Sequence, residues 1–160
     1  MILDLESLIE FLERERAKGK KIVFTNGCFD LLHAGHAHYL KRAKELGDIL
    51  VVGINSDSSV RRIKGDKRPI IKQEMRAYLV DSLKPVDYVV IFEEDTPERL
   101  IRSIKPHVLV KGGDWNIENI VGADFVLSYG GRVERIEFSF DISTSIIVQK
   151  ILSIYRDISK

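Results

Sequence analysis

The chain has 160 residues, long enough to bury a substantial core in one domain. It is 44% hydrophobic and 31% charged with a net charge of +1, so bulk electrostatics favour neither a nucleic acid nor a membrane partner. A single cysteine excludes an internal disulfide, and no charged leader precedes a long apolar stretch, so a reducing, cytoplasmic setting is expected.

Leu5, Leu8, Ile9 and Leu12 form an amphipathic stripe with Asp4 as cap and Gly19 as stop, which predicts a packing helix. Residues 22–25, IVFT, read as a buried strand that Asn26-Gly27 breaks and turns. Ala37, Leu40, Ala43 and Leu46 then mark one face of a helix, with Gly47 placed to end it. A second buried strand is expected over 49–54, closed by Asn55-Ser56-Asp57, with a short helix over 60–63 and a longer one over 70–83. Residues 86–92 read as a third strand. Thr96-Pro97 reads as a helix start, threonine capping and proline in first place, with Leu100, Ile101 and Ile104 as the buried face. A short strand over 108–110 follows. Val121, Phe125 and Tyr129 suggest a helix ended by Gly130. A last strand is expected over 132–140, and Ile147, Ile151, Ile154 and Ile158 give a C-terminal helix.

Alternating strands and helices predict an α/β fold: one Rossmann-like domain over 1–160, a five-stranded parallel sheet with helices on both faces. Ligands of such sheets bind beyond the carboxyl ends of the strands. Segments 26–36, 55–68, 93–96, 111–115 and 141–145 all follow strands, so every candidate motif falls on one rim.

Three of the four histidines stand at 33, 36 and 38. His33 and His36 share a helical face while His38 turns away. They lie where a loop enters a helix, beside unpaired N–H groups and the positive end of the dipole, a location that suits a phosphate. Plain capping is the alternative. A metal would need Cys28 or His38 as a third ligand at no zinc spacing, so no metal site is expected. Asp30, in the same loop, reads equally as a cap or as a substrate contact. Cys28 has no resolving partner and reads as a small buried residue. Arg61, Arg62, Lys64, Lys67 and Arg68 put five cations into eight residues. Such a run is either a solvated loop or a phosphate site, and its place beyond a strand, between Gly65 and Pro69, favours phosphate. Lys111-Gly112-Gly113-Asp114-Trp115 joins a cation, a flexible turn and a carboxylate. Ser143-Thr144-Ser145 opens the last helix, as caps or as ligand donors.

The segment TNGCFDLLHAGH resembles the signature of nucleotidylyltransferases that carry an HxGH motif. RRIKGDKRPI, VDYVVIFEEDTPERLI, KGGDW and the late STS are similar to the adenylyltransferase part of ADP-heptose synthases, and the resemblance runs from about residue 5 to residue 155. It implies transfer of AMP from ATP, with Mg2+, to D-glycero-β-D-manno-heptose 1-phosphate, giving ADP-heptose and pyrophosphate for lipopolysaccharide core synthesis. A separate sugar kinase is implied, and a homo-oligomer is left open. His33, His36 and Lys64 are implied in catalysis, the histidines on the nucleotide phosphates. Asn26, Gly27, Cys28 and Phe29 would line the triphosphate with backbone, and Lys111, Gly113, Asp114, Ser143, Thr144 and Ser145 would complete the nucleotide site. Asp30, Lys64, Arg68 and Trp115 would meet the sugar phosphate. The superfamily often carries a basic residue three positions after the STS motif. Val148 stands there, which leaves Lys111, or one of Arg61 and Arg62, as the substitute. One rival is a cytidylyltransferase for glycerol 3-phosphate or a similar alcohol phosphate, whose RTEGIS segment is DIS here. The other is a non-enzymatic flavodoxin-like binding module, against which the histidine pair and the basic loop argue.

Overall fold

A run such as Ile49-Leu50-Val51-Val52 has no polar face and is stable only between two layers. In the computed structural model, which describes residues 1–113 and 116–156, every residue of β2 (Ile49–Asn55) is buried, as are the first four of β1 (Ile22–Gly27). With β3 (Tyr88–Phe92), β4 (Val108–Gly112) and β5 (Arg132–Ile136) they form one parallel sheet in the order β3-β2-β1-β4-β5. The helices are α1 (Leu5–Ala17), α2 (Ala34–Lys44), α3 (Asp57–Lys64), α4 (Gln73–Asp81), α5 (Glu98–Ile104), α6 (Ala123–Ser128) and α7 (Thr144–Tyr155). On one face Leu8 and Leu12 of α1, Leu100, Ile101 and Ile104 of α5, and Val126 of α6 pack on Phe24, Val51 and Leu109. On the other, Tyr39, Leu40 and Ala43 of α2 and Ala77 and Val80 of α4 pack on Val23, Leu50, Val52 and Val110. Each fully buried aliphatic side chain contributes about 1.5–3 kcal/mol, so these two layers fix the sheet and hence its rim. Among the described residues no helix is long and apolar enough to cross a membrane.

The expected order of elements holds, and the departures have local causes. β1 continues through Asn26 and Gly27, because β2 still pairs with it there. Gly47 does not cap α2. It lets the chain pass β1, where a Cβ would lie 2.6 Å from Val23 Cγ2. The helix expected over 70–83 starts only at Gln73, since the Ile70 and Ile71 N–H groups donate to the Asp30 carboxylate instead of joining a helix. Pro97, not Thr96, is the N-cap residue of α5, and no side chain caps it. The buried face of α6 is Ala123 and Val126, while Val121 and Tyr129 are exposed. β5 ends at Ile136, four residues early, and no residue of α7 is buried. Ile158 lies outside the described residues.

Candidate active site

The sheet opens where its order reverses. The β1–β4 ladder consists of Val23–Val108 and Phe24–Leu109, although β1 runs on to Gly27 and β4 to Gly112. Side chains fill the next rung: Thr25 Oγ1 donates to the Val110 carbonyl at 3.0 Å. Its one proton is then used, so the Tyr39 hydroxyl, 2.6 Å away, must donate to Thr25. This buried pair closes the floor. Above it stand Asn26 and Gly27 on one side and Lys111 and Gly112 on the other.

The loop from Cys28 to His33 leaves β1 in a conformation that L-residues avoid. Phe29 has φ 50° and Leu31 φ 52°, each costing on the order of 1 kcal/mol or more. Four anchors hold it. Phe29 is buried between Gly27, where a Cβ would meet its ring at 3.0 Å, and the His36 ring at 5.3 Å. The buried Asp30 carboxylate accepts from the N–H groups of Ile70 (2.9 Å) and Ile71 (3.0 Å), and Arg68 lies 3.8 Å from it. The Asp30 carbonyl accepts from Thr144 Oγ1 at 2.5 Å. Finally the buried guanidinium of Arg76 donates to the carbonyls of Cys28 (2.6 Å) and Ile71 (2.8 Å) and to Asp57 Oδ1 (2.9 Å). One side chain thus ties together the loops after β1 and β2 and the entry to α4.

His33 and His36 sit at the start of α2 in a reciprocal cap. His33 Nδ1 accepts from the Gly35 N–H at 3.1 Å, and His36 Nδ1 accepts from the His33 N–H at 3.3 Å. The rings stack with centroids 3.8 Å apart and planes 23° apart. Gly35 permits this, since a Cβ there would lie 2.9 Å from His33 Cε1. With both Nδ1 atoms accepting, each neutral ring carries its proton on Nε2 and offers it as a donor. Burial holds the pKa of His33 below the usual range. Burial, helped by the proximity of His33, lowers that of His36 to about 4. His38 takes no part: its Nε2 is 2.9 Å from Ser139 Oγ.

Two lysines act electrostatically on the loop after β1, at Cys28. Lys111, half-buried at the end of β4, has its pKa depressed by burial, with Lys64 adding to the depression and Cys28 opposing it. Burial raises the Cys28 thiol, while Lys64, Arg76 and Lys111 pull it down. Lys64, the last residue of α3, is thus near enough to act electrostatically on both Cys28 and Lys111. Arg62 does not: it pairs with Asp95 at 2.6 Å and donates to the Glu93 carbonyl beyond β3. Lys111, one of the substitutes for a cation at Val148, is near Cys28 of the loop that leads to the histidines. Arg68 is held over Asp30. Gly113 turns with φ 91° and its N–H bonds the Ile136 carbonyl at 2.9 Å. Ser143 caps α7 through Ile146 N at 3.2 Å, Thr144 grips the Asp30 carbonyl, and Ser145 is exposed beside them. Asp114 and Trp115 lie outside the described residues. Among the described residues no three His, Cys, Asp or Glu side chains gather as a metal site.

The structure therefore brings His33, His36, Lys64, Lys111 and the start of α7 around the β1 loop. Sequence reasoning missed Arg76, Asp57, Thr25 and Tyr39. Arg76 was legible in principle, because it stands four residues before Val80 on the buried face of α4, where a cation needs partners.

The cytidylyltransferase-like family matches residues 24–150. The bifunctional protein HldE of Geobacter metallireducens is 58% identical over 156 residues, which is 98% of this chain and 32% of that protein. HldE of Helicobacter pylori is 55% identical over 150 residues, 94% of this chain and 31% of that one. The chain thus spans about a third of the length of the curated relatives it matches. Among solved structures, the lipopolysaccharide core biosynthesis protein from Thermoplasma volcanium superposes with a TM-score of 0.61 at 32% identity, over 77% of this chain and all of that one. Pantothenate synthetase from Thermus thermophilus superposes with a TM-score of 0.57 at 18% identity, over 85% of this chain and 60% of that one, a likeness of fold alone.

Proposed function

The chain belongs to the cytidylyltransferase-like family, and within it we propose an adenylyltransferase that joins ATP to D-glycero-β-D-manno-heptose 1-phosphate, releasing pyrophosphate and forming ADP-heptose for lipopolysaccharide core synthesis. The observation that carries the proposal is the stacked His33–His36 pair, with Nε2–H donors at a helix start beyond the carboxyl end of β1. The HldE relatives and the lipopolysaccharide core biosynthesis protein of Thermoplasma support the substrate class.

The chemistry asks little of a base. A sugar phosphate is already ionised near neutral pH, and its oxygen attacks the α-phosphorus of ATP. The bond from α-phosphorus to the bridging oxygen breaks, and pyrophosphate leaves with that electron pair. The task is alignment and neutralisation of charge. In this reading the two Nε2–H donors meet the α-phosphate oxygens, where charge crowds in the transition state. Lys111 and the N–H groups of 26–29 hold the triphosphate. Lys64 and Arg68 receive the sugar phosphate, and Ser143–Ser145 close the nucleotide side. Asp30, whose carboxylate is already bonded, acts by holding Ile70 and Ile71 and so placing Arg68. Magnesium arrives as part of the nucleotide substrate and offsets charge on the leaving pyrophosphate. The test is pyrophosphate release with magnesium, ATP and a panel of sugar and alcohol phosphates. Release with heptose 1-phosphate above the others is expected, and release only with glycerol or ethanolamine phosphate would refute it.

A further inference from the structure

Two exposed phenylalanines stand beyond the carboxyl end of β5, in the run Phe138-Ser139-Phe140. Phe138 is 62% exposed and Phe140 47%. The backbone beneath Phe138 is shaped for it. A Cβ at Gly112, the last residue of β4, would stand 2.9 Å from Phe138 Cζ and 3.2 Å from its Cε1. Gly112 has no positive φ, so the missing side chain serves this close approach and not a turn. The buried Tyr39 steadies the same ring, with centroids 6.3 Å apart. Phe140 is fixed differently, edge-on to His38 at 5.6 Å, and Ser139 Oγ lies 2.9 Å from His38 Nε2. Ile142 Cγ2 comes within 3.4 Å of where a Gly35 Cβ would be. The loop is thus pinned along the first turns of α2, the helix that carries His33 and His36.

We propose that Phe138 is the stacking wall for the base of the bound nucleotide. The proposal rests on the nucleotidyl-transfer reading of the site. The strand order β3-β2-β1-β4-β5 lays the groups of that site out along the rim. The basic segment 61–68 follows β2, the histidine pair follows β1, and Phe138 follows β5 and leans on the end of β4. A sugar phosphate received on the β2 side and an α-phosphate held at the centre leave the β4–β5 side for the nucleoside. An open aromatic ring suits that end, because every base has a π face. Stacking there supplies affinity and leaves the choice of base to hydrogen bonds. Gly112, Tyr39 and His38 already hold the loop, so little freedom is lost when a base arrives. The ring of Phe140 is spent on His38, which turns away from the histidine pair, so the wall is assigned to Phe138 alone.

The experiment is calorimetric titration of magnesium-ATP, magnesium tripolyphosphate and heptose 1-phosphate, each alone, into the wild type, Phe138→Ala, Phe138→Leu, Phe138→Trp and Phe140→Ala. Tripolyphosphate carries the phosphates of ATP and no base. Phe138→Ala should weaken ATP binding by roughly 5- to 150-fold, the span for loss of one base–aromatic stack. Tripolyphosphate binding should stay within about twofold. Phe138→Leu keeps bulk on Gly112 without a π face and should lose ATP as alanine does, while Phe138→Trp and Phe140→Ala should keep it. Circular dichroism checks folding, and the leucine variant decides if the alanine variant unfolds. Unchanged ATP binding in the alanine or leucine variant overturns the proposal, as does an equal loss of ATP and tripolyphosphate or a loss confined to heptose 1-phosphate. A wild type that binds CTP and not ATP would refute adenylyl transfer, and the wall would stand if Phe138→Ala weakened CTP in the same way. A wild type that binds neither nucleotide refutes both.

Discussion

His33 and His36 each give an Nδ1 lone pair to a backbone N–H, and this decides how they answer to acid. Protonating His36 on Nδ1 would set two donors against each other, in line with the depression of its pKa to about 4 by burial and by His33. In the unfolded chain the same ring titrates near the ordinary histidine value of about 6.5. Between these values the unfolded state binds more protons, so stability rises with pH across the window and is lost as pH falls through it. Melting curves should therefore drop in temperature from about pH 6.5 towards pH 4, and His36→Gln should flatten the drop. For catalysis, His36→Ala should cut turnover by about 10²–10³, the loss for one transition-state donor, with apparent ATP affinity much less changed. Steady-state kinetics decide, and near-normal turnover would remove His36 from the mechanism. The pair was legible in the sequence as an i, i+3 motif at a helix entrance. Its tautomers were not, because they depend on backbone hydrogen bonds that no spacing reveals.

At the scale of elements, the rim is a set of loops pinned from below. Arg76 bridges the carbonyls of Cys28 and Ile71 and the Asp57 carboxylate, so Arg76→Ala leaves a carboxylate and two carbonyls without their donor. Urea unfolding should show a loss of about 3–5 kcal/mol, the usual result of removing one partner of a buried ion pair. A loss below about 1 kcal/mol would show that the loops hold without it. The basic stretch after β2 divides more finely than its sequence suggests. Arg62 turns to Asp95, Arg68 is held near Asp30, and Lys64 acts electrostatically on Lys111 and Cys28. Lys64→Ala or Arg68→Ala should raise the Michaelis constant for the sugar phosphate more than that for ATP, each removing a charge-assisted contact of roughly 1.5–3 kcal/mol. Separate titrations of the two ligands check this, and a loss confined to ATP would assign the loop to the triphosphate. Composition marked the run as cationic. Which cation faced which partner depended on where α3 ends relative to β3, and that is tertiary information.

At the scale of the molecule, the strand–helix alternation carried the fold because unbroken apolar runs such as 49–54 admit only a buried parallel sheet. Element boundaries carried less well. The 70–83 helix lost its first turn to Asp30, forty residues away in sequence, and a long-range acceptor of that kind leaves no local trace. The rim rule points to the reversal of strand order, and there β1 and β4 part. The choice of base is a matter of hydrogen bonding. Adenine and cytosine present different hydrogen-bonding edges, and a site matched to one leaves buried groups unpaired with the other, a discrimination of up to about 10⁴. The most direct measurement is a competition: the purified chain is given equal ATP and CTP with magnesium and D-glycero-β-D-manno-heptose 1-phosphate, and the nucleotide sugars are quantified by mass spectrometry. ADP-heptose should dominate by at least about 10², and a product pool led by CDP-heptose, or one containing no heptose nucleotide at all, would contradict the assignment.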